Sequence, residues 1–264
     1  MSVALSTTTL TEKELEGPPV DIKTLSEKEK QELSTSDTIS IASGTTLAPG
    51  DAPFYGVKSL HINTKGIPVL RLPLPPSELQ ISIHNPDGTL AYLSTRERRS
   101  SGNSILSDTS GNQLIGTTYF FGPSRDPVLH ILGTESQEIR TVSKWTSRCQ
   151  KFLLPDGRTF EWEYKKEKGV GDKGKKGTAL ALSMDGKRMA MLVRNKDTRT
   201  EGSKGCSAGN GGELVLGRDV GMEKEGLGLS EEVVVATCLL MLKKEVDRRR
   251  TIQFMVLLSA AHGS

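Results

Sequence analysis

The run Val233–Leu242 is apolar on every side of a helical wheel apart from Thr237, and a helix of that kind has to be enclosed on all sides. Ser230 precedes it as an N-cap, and Glu231 and Glu232 fill the first turn, where the helix dipole favours carboxylates. Lys243, Lys244, Arg248, Arg249 and Arg250 come at the other end, as a helix C-terminus prefers. Val233, Val234 and Val235 are β-branched and would also suit a strand. Lys243–Arg250 has no strand alternation, however, so the segment 231–250 reads as a helix. The apolar run spans about 15 Å, half the hydrocarbon thickness of a bilayer, which makes it a protein core and not a membrane span.

The rest of the chain has to supply the enclosure, and its pattern is β. Short runs that alternate or carry β-branched residues predict strands at Val57–Ile62, Ile67–Leu72, Leu79–His84 and Thr89–Ser94. Pro73, Pro75 and Pro76 demand a loop, and Asn85-Pro86-Asp87-Gly88 is a turn in which Pro fixes φ and Gly accepts positive φ. Gln113–Phe121, Val128–Leu132 and Gln137–Trp145 come next. The clearest hairpin is Cys149–Leu154, Pro155-Asp156-Gly157, Arg158–Tyr164. Its second arm places Phe160, Trp162 and Tyr164 on one face and Glu161 and Glu163 on the other. Thr178–Met184 and Lys187–Arg194 form another hairpin across Asp185-Gly186. In the Gly- and charge-rich stretch 195–228, expected as an insert, only Glu213–Leu216 looks like a strand. About ten strands with no intervening helix imply a barrel or a sandwich, and this β-sheet system is the one structure that could bury the C-terminal helix.

The ends of the chain differ from this body. The first aromatic residue is Phe54, and hydrophobic residues make up only 35% of the chain. Residues 1–54 therefore read as a disordered Ser/Thr-rich tail that cannot bury enough apolar surface to offset its ordering entropy. Residues 55–250 read as the barrel domain, and 251–264, with the apolar Ile252–Leu258, as a C-terminal extension. Residues 1–50 carry a net charge of −4, which leaves +7 on the remainder of the chain. A basic body favours anionic partners. Cys149, Cys206 and Cys238 are too scattered for a disulfide framework or a zinc site, and Met1–Leu10 has neither the basic nor the apolar part of a signal peptide. These features fit a cytoplasmic protein, peripheral at membranes if it meets them at all.

Several local patterns resemble one family. Thr118-Tyr119-Phe120-Phe121-Gly122-Pro123, Lys144-Trp145-Thr146-Ser147-Arg148, Pro155-Asp156-Gly157-Arg158-Thr159-Phe160-Glu161-Trp162 and the helix from Glu231 to Arg250 carry the likeness. Together they resemble tubby-like domains, which include LURP-one-related proteins and phospholipid scramblases, and are similar to fungal proteins of that plan. The resemblance covers residues 55–250 and implies a mainly β fold, an antiparallel β-barrel of roughly ten to twelve strands closed around the apolar C-terminal helix. It also implies binding of phosphoinositide or another membrane lipid through basic surface residues. No phosphoinositide motif of the family can be laid on this sequence, so no binding residue is carried over from it.

Three fragments imitate catalytic motifs. Gly169-Val170-Gly171-Asp172-Lys173-Gly174 fits the spacing of a dinucleotide loop, and Gly169 to Lys175 that of a phosphate loop. The next segment is the strand-like Thr178–Leu182 instead of a helix N-terminus, and Lys176 stands where magnesium needs a hydroxyl. Gly205-Cys206-Ser207-Ala208-Gly209 matches a nucleophile elbow but lies in a Gly/Ser/Lys stretch. His61, His84 and His130 have no ligand spacing. No catalytic residue, metal or cofactor is expected. The candidate anion-binding residues are Lys165, Lys166, Lys173, Lys175 and Lys176 around one hairpin loop, and Arg96, Arg98 and Arg99 after another strand. Mobile lysines flanked by glycines can meet phosphates without fixed geometry. Arg98-Arg99-Ser100-Ser101 has the form of a basophilic kinase site, where phosphate would lower the local positive charge. Nucleic acid is not expected, because Phe160, Trp162 and Tyr164 read as core and not as stacking platforms.

The leading expectation is a non-enzymatic module for anionic membrane lipid or an acidic protein. The alternative is an enzyme or small-molecule carrier whose cleft is assembled from distant residues. The tail is the first point to test: amide hydrogen exchange should find residues 1–50 almost unprotected, and strong protection there would refute the reading.

Overall fold

The structure is a computed structural model. It describes residues 54–68, 78–99, 101–122, 125–133, 137–144, 147–221 and 228–262, with the side chains of the last helix as far as Met255. The expected tail, the loop at Pro73–Pro76, Trp145 and Ser100 lie outside the described residues.

The strands in chain order begin with β1 (Gly56–Asn63), β2 (Ile67–Pro68), β3 (Gln80–His84), β4 (Leu90–Thr95) and β5 (Ser104–Asp108). Next come β6 (Gln113–Thr118), β7 (Val128–Ile131), β8 (Gln137–Thr141), β9 (Gln150–Leu153) and β10 (Thr159–Glu167). The last are β11 (Gly177–Met184), β12 (Lys187–Val193), β13 (Cys206–Ala208) and β14 (Gly212–Gly217), followed by the helix α1 (Glu231–His262). Twelve of the strands form a closed antiparallel barrel in the order β1-β14-β12-β11-β10-β9-β8-β7-β6-β5-β4-β3, and β2 pairs with β13 separately. The seam closes where His61 of β1 faces His84 of β3.

Period-two alternation decides which side chains face inward. On β10 Phe160 and Trp162 are buried while Glu161 is exposed, and the ring of Phe160 stacks on Phe152 of β9 at 5.1 Å. β11 departs from the rule, because Ala179 through Leu182 are all buried. Its outer side is covered as well: Val170 packs on Ala179 and Val193.

The helix lies inside this wall. Val233 through Lys244 are buried without a break, so no rotation of that stretch faces solvent. Its side chains form one core with inward residues such as Leu60, Ile83, Leu106, Ile115, Leu129, Ile139, Leu182, Leu192 and Leu214. Thr237, the only polar residue of the apolar run, is satisfied twice. Its Oγ1 accepts a hydrogen bond from Trp162 Nε1 at 3.0 Å and donates to the Val233 carbonyl at 2.7 Å.

Four sequence expectations change. β5 is an additional strand that the pattern hides, because Ser and Gly surround Ile105 and Leu106. The stretch 195–228 is no mere insert, since β14 pairs with both β1 and β12 and completes the barrel. Strand β8 stops at Thr141, and Val142 continues only as a single hydrogen bond to Lys151. Finally, α1 does not end near Arg250. Its backbone continues to His262, with no Gly or Pro to stop it before Gly263, and Thr251 Oγ1 bonds the Asp247 carbonyl at 2.9 Å.

An enclosed helix makes a sharp prediction. Leu240→Asp would bury an unpaired carboxylate at a site only 3% exposed, costing several kcal/mol out of a typical total of about 5–15. Chemical denaturation should show loss of most or all cooperative folding, and removal of residues 229–264 should leave an insoluble or molten product.

Candidate functional site: the basic mouth of the barrel

Antiparallel strands send alternate connections to opposite ends of the barrel. One end carries the tight turns at 85–89, 109–112, 154–158 and 185–186. The other carries the connections β4–β5, β6–β7, β8–β9, β10–β11 and β12–β14. The helix begins at the tight-turn end, where Glu231 Oε1 accepts from Lys58 Nζ at 2.7 Å and from Tyr92 OH at 3.0 Å. It leaves through the other end, the mouth. All eight cationic candidates, Arg96, Arg98, Arg99, Lys165, Lys166, Lys173, Lys175 and Lys176, belong to strand ends or loops of that same end. There they meet the basic run of α1, from Lys243 to Arg250.

Where the helix crosses the mouth, its apolar run gives way to an inner layer of buried charge. Glu245 receives both guanidinium nitrogens of Arg194, at 2.7 and 2.9 Å, together with the Tyr164 hydroxyl and the Gly209 amide at 2.8 Å. Burial alone would raise its carboxyl, but Arg194 and these donors hold it below the ordinary range. Burial and the neighbouring Glu245 push the Tyr164 phenol well up. Gly209 has to be glycine here. Its φ is +69°, and a Cβ would sit 2.2 Å from Val246 Cγ2. Across the helix, Lys243 Nζ binds Asp247 at 2.6 and 2.7 Å and lies 5.7 Å from the Tyr119 ring centroid.

Lys244 breaks this pattern of pairing. It is 4% exposed, and its Nζ has no hydrogen-bond partner among the described residues. Burial, then the positive charge of Arg248, lower its pKa from 10.5 to about 8, with Asp126 opposing. The carboxylate that would neutralise it is not in contact.

The outer layer of the mouth is exposed, and the candidates divide between the two layers. Arg98 and Arg99 face solvent. Arg96 turns inward to a cleft that it lines with Glu78, Lys243 and Arg250; burial lowers its pKa while Asp247 and Glu78 oppose the shift. Lys165 is tied to Glu163 of its own strand at 2.6 Å, and Lys166 is exposed. Lys173 and Lys175 line an open cleft of about 300 Å³ with Asp172, Asp197 and Lys196, and Lys176 is exposed beside them. Lys196 is an addition to the sequence candidates. The β11–β12 pairing brings its loop next to the lysine loop, a juxtaposition that local sequence does not carry.

The lysine loop is also more ordered than its glycines suggest. Gly171 N donates to Lys175 O at 2.8 Å, Asn195 Nδ2 to Val170 O at 3.2 Å, and Lys196 N to Asp172 Oδ1 at 2.7 Å. A Cβ on Gly177 would lie 2.6 Å from the Gly171 backbone, so these glycines serve a close chain crossing and not a phosphate cradle before a helix. Ser207 likewise sits on β13, in a two-stranded sheet and away from any strand-to-helix turn. The histidines are not all apart, since His61 and His84 are cross-strand neighbours. Among the described residues, however, no group of three or more His, Cys, Asp or Glu could hold a metal.

Among the described residues, two clefts that touch α1 are small. The larger has about 40 Å³, room for one or two waters, and the other has none. Small-molecule pockets need about 300–1,000 Å³ with an apolar lining. Fold and site together define a helix-plugged antiparallel barrel with a cationic mouth. No family model, curated protein or solved structure matches the chain.

Lys244 gives this site a pH signature. The unfolded chain binds its proton up to pH 10.5 and the folded chain only to about pH 8, so Lys244 disfavours folding below pH 8 and ceases to do so as pH rises toward 10.5. Lys244→Met should raise the melting temperature at pH 7, and the gain over wild type should shrink between pH 8 and 10.5.

Proposed function

We propose that this protein is a non-enzymatic, tubby-like module that docks the mouth of its barrel onto anionic membrane lipid at the periphery of a cytoplasmic membrane surface. The observation that carries the reading is topological. Two basic loops far apart in sequence and the basic run of the helix emerge at one end of the barrel. The tight-turn end carries Asp87, Asp108, Asp156 and Asp185, and its cations Lys58, Arg158 and Lys187 are each paired with a carboxylate. A one-sided cationic field steers toward an anionic plane. Each Lys or Arg near such a surface contributes about 1 kcal/mol.

The chemistry of the mouth suits lipid better than catalysis. Exposed lysines on an open surface offer charge without the fixed donor geometry that a reaction needs. The buried groups that do have fixed geometry, Glu245, Arg194 and Tyr164, are consumed by each other. Phe160 and Trp162, which would have to be exposed to stack on bases, are buried.

The test is sedimentation of the full chain with vesicles of phosphatidylcholine mixed with phosphatidylserine or a phosphoinositide. Binding should weaken steeply with salt, because the Debye length falls from about 10 Å at 0.1 M to 3 Å at 1 M. Lys173→Glu, Lys175→Glu and Lys176→Glu together should cost at least about tenfold in binding. The melting temperature should hardly move, since exposed loop charges contribute little to stability. Absence of binding by the wild type would reject the lipid reading. Binding to an acidic protein and not to vesicles would replace it.

A further inference from the structure

The emergent end of α1 has its polarity inverted. Just outside the barrel Phe254 and Met255 are 59% and 60% exposed, and Ile252 is 37% exposed. Between them the polar Gln253 is only 4% exposed, and its Nε2 donates to the Pro68 carbonyl of β2 at 3.1 Å. A helix end adapted to water would bury the aromatic and expose the amide. Here the amide pins the helix to the mouth, and the large apolar side chains at 252, 254 and 255 are left exposed.

This apolar end has a definite charge setting. Arg248, Arg249 and Arg250 occupy the helical turn before it, and the exposed lysines of the β10–β11 loop stand at the same end of the barrel. Apolar side chains extending beyond a basic collar match the layering of an anionic bilayer, with phosphates outside and acyl chains within. Twelve residues from Thr251 to His262 extend about 18 Å, enough to enter one leaflet. No helix among the described residues is long and apolar enough to cross a membrane.

We infer that the end of α1 beyond Arg250 is a membrane-inserting element: Phe254 and Met255 enter the interface of an anionic bilayer while the basic mouth holds its phosphates, standing the barrel upright on the membrane. The inference rests on the lipid reading above and adds an apolar component to it. Binding then has two separable parts, one electrostatic and sensitive to salt, the other hydrophobic and persistent in it.

The experiment uses the full chain and vesicles of three parts phosphatidylcholine to one part phosphatidylserine. Phe254→Asp with Met255→Asp should lower the partition coefficient by at least about tenfold, since burying a single side chain of this size supplies more than that. Both sites are exposed, so the melting temperature should hold. The residual binding should keep its salt dependence. In a Phe254→Trp variant, the emission in excess of wild type should shift to the blue on vesicles and be quenched by lipids brominated on their acyl chains. If the double aspartate variant binds like wild type and the emission of the introduced indole does not change, insertion is overturned while the lipid reading stands. If the wild type binds no vesicles, both fall. A wild-type dimer that the double variant dissolves, with vesicle binding unaltered, would assign the apolar end to a second copy of the chain and overturn the proposal.

Discussion

A helix with no polar face has to be surrounded, and that one requirement sets the scale of the structure. An α-helix with its side chains is about 10–12 Å across. A barrel of about eight strands is filled by its own inward side chains, so one that also holds a helix needs more strands. The twelve found here meet that need. Inward positions then pack against α1, as Leu60, Ile115, Leu129, Ile139 and Leu192 do. Only one polar side chain lies within the apolar run, and Trp162 and the Val233 carbonyl satisfy it. A buried Thr237 without those partners would cost about 1–3 kcal/mol.

Enclosure also dictates the chemistry at the two ends. The first turn of α1 presents free amides and a positive dipole end, and Glu231 meets it while reaching Lys58 and Tyr92 of the wall. At the mouth the helix has to pass from a dry interior to water, and the charged residues Lys243 to Arg250 mark that passage. Among those still inside, Glu245 is paired with Arg194 and Lys243 with Asp247, because a buried charge is tolerated only with its partners. Lys244 is the exception, and its depressed pKa is the physical result.

Much of the fold is legible in the sequence because it is written in local periodicity. Phe160, Trp162 and Tyr164 at spacing two, the Asp-Gly turns, and the capped apolar run at 231–242 each signal their own element. The hidden part depends on contacts between distant residues. The Tyr164–Glu245 and Arg194–Glu245 bonds join residues 81 and 51 positions apart, and nothing near Glu245 in sequence announces either partner. Arg96 looks like one of three equivalent arginines, yet the chain just past β4 takes it toward Glu78 and Asp247 while Arg98 and Arg99 stay outside. Lys196 joins the lysine loop only through strand pairing, and β5 is masked by its serines. The end of α1 is hard to place because a run of basic residues resembles a helix terminus. Without Gly or Pro, and with Asp247 bonding Lys243 behind it and Thr251 ahead, the run is instead a mid-helix collar.

The proposed membrane face follows from this architecture and not from any single motif. In a closed up-and-down barrel the hairpin turns alternate between ends, so tight two- to five-residue turns lie at one end and the longer connections at the other. The helix has no choice of exit, because Glu231 holds its N-terminus at the tight-turn end. Whatever lies beyond Arg250 is thereby delivered to the end that carries the lysine and arginine loops. Gln253, held by Pro68, then fixes which side of the helix turns away. An apolar tip within a cationic rim is thus a consequence of chain direction and one buried amide, and the side chains at 252, 254 and 255 can vary without disturbing the core that places them.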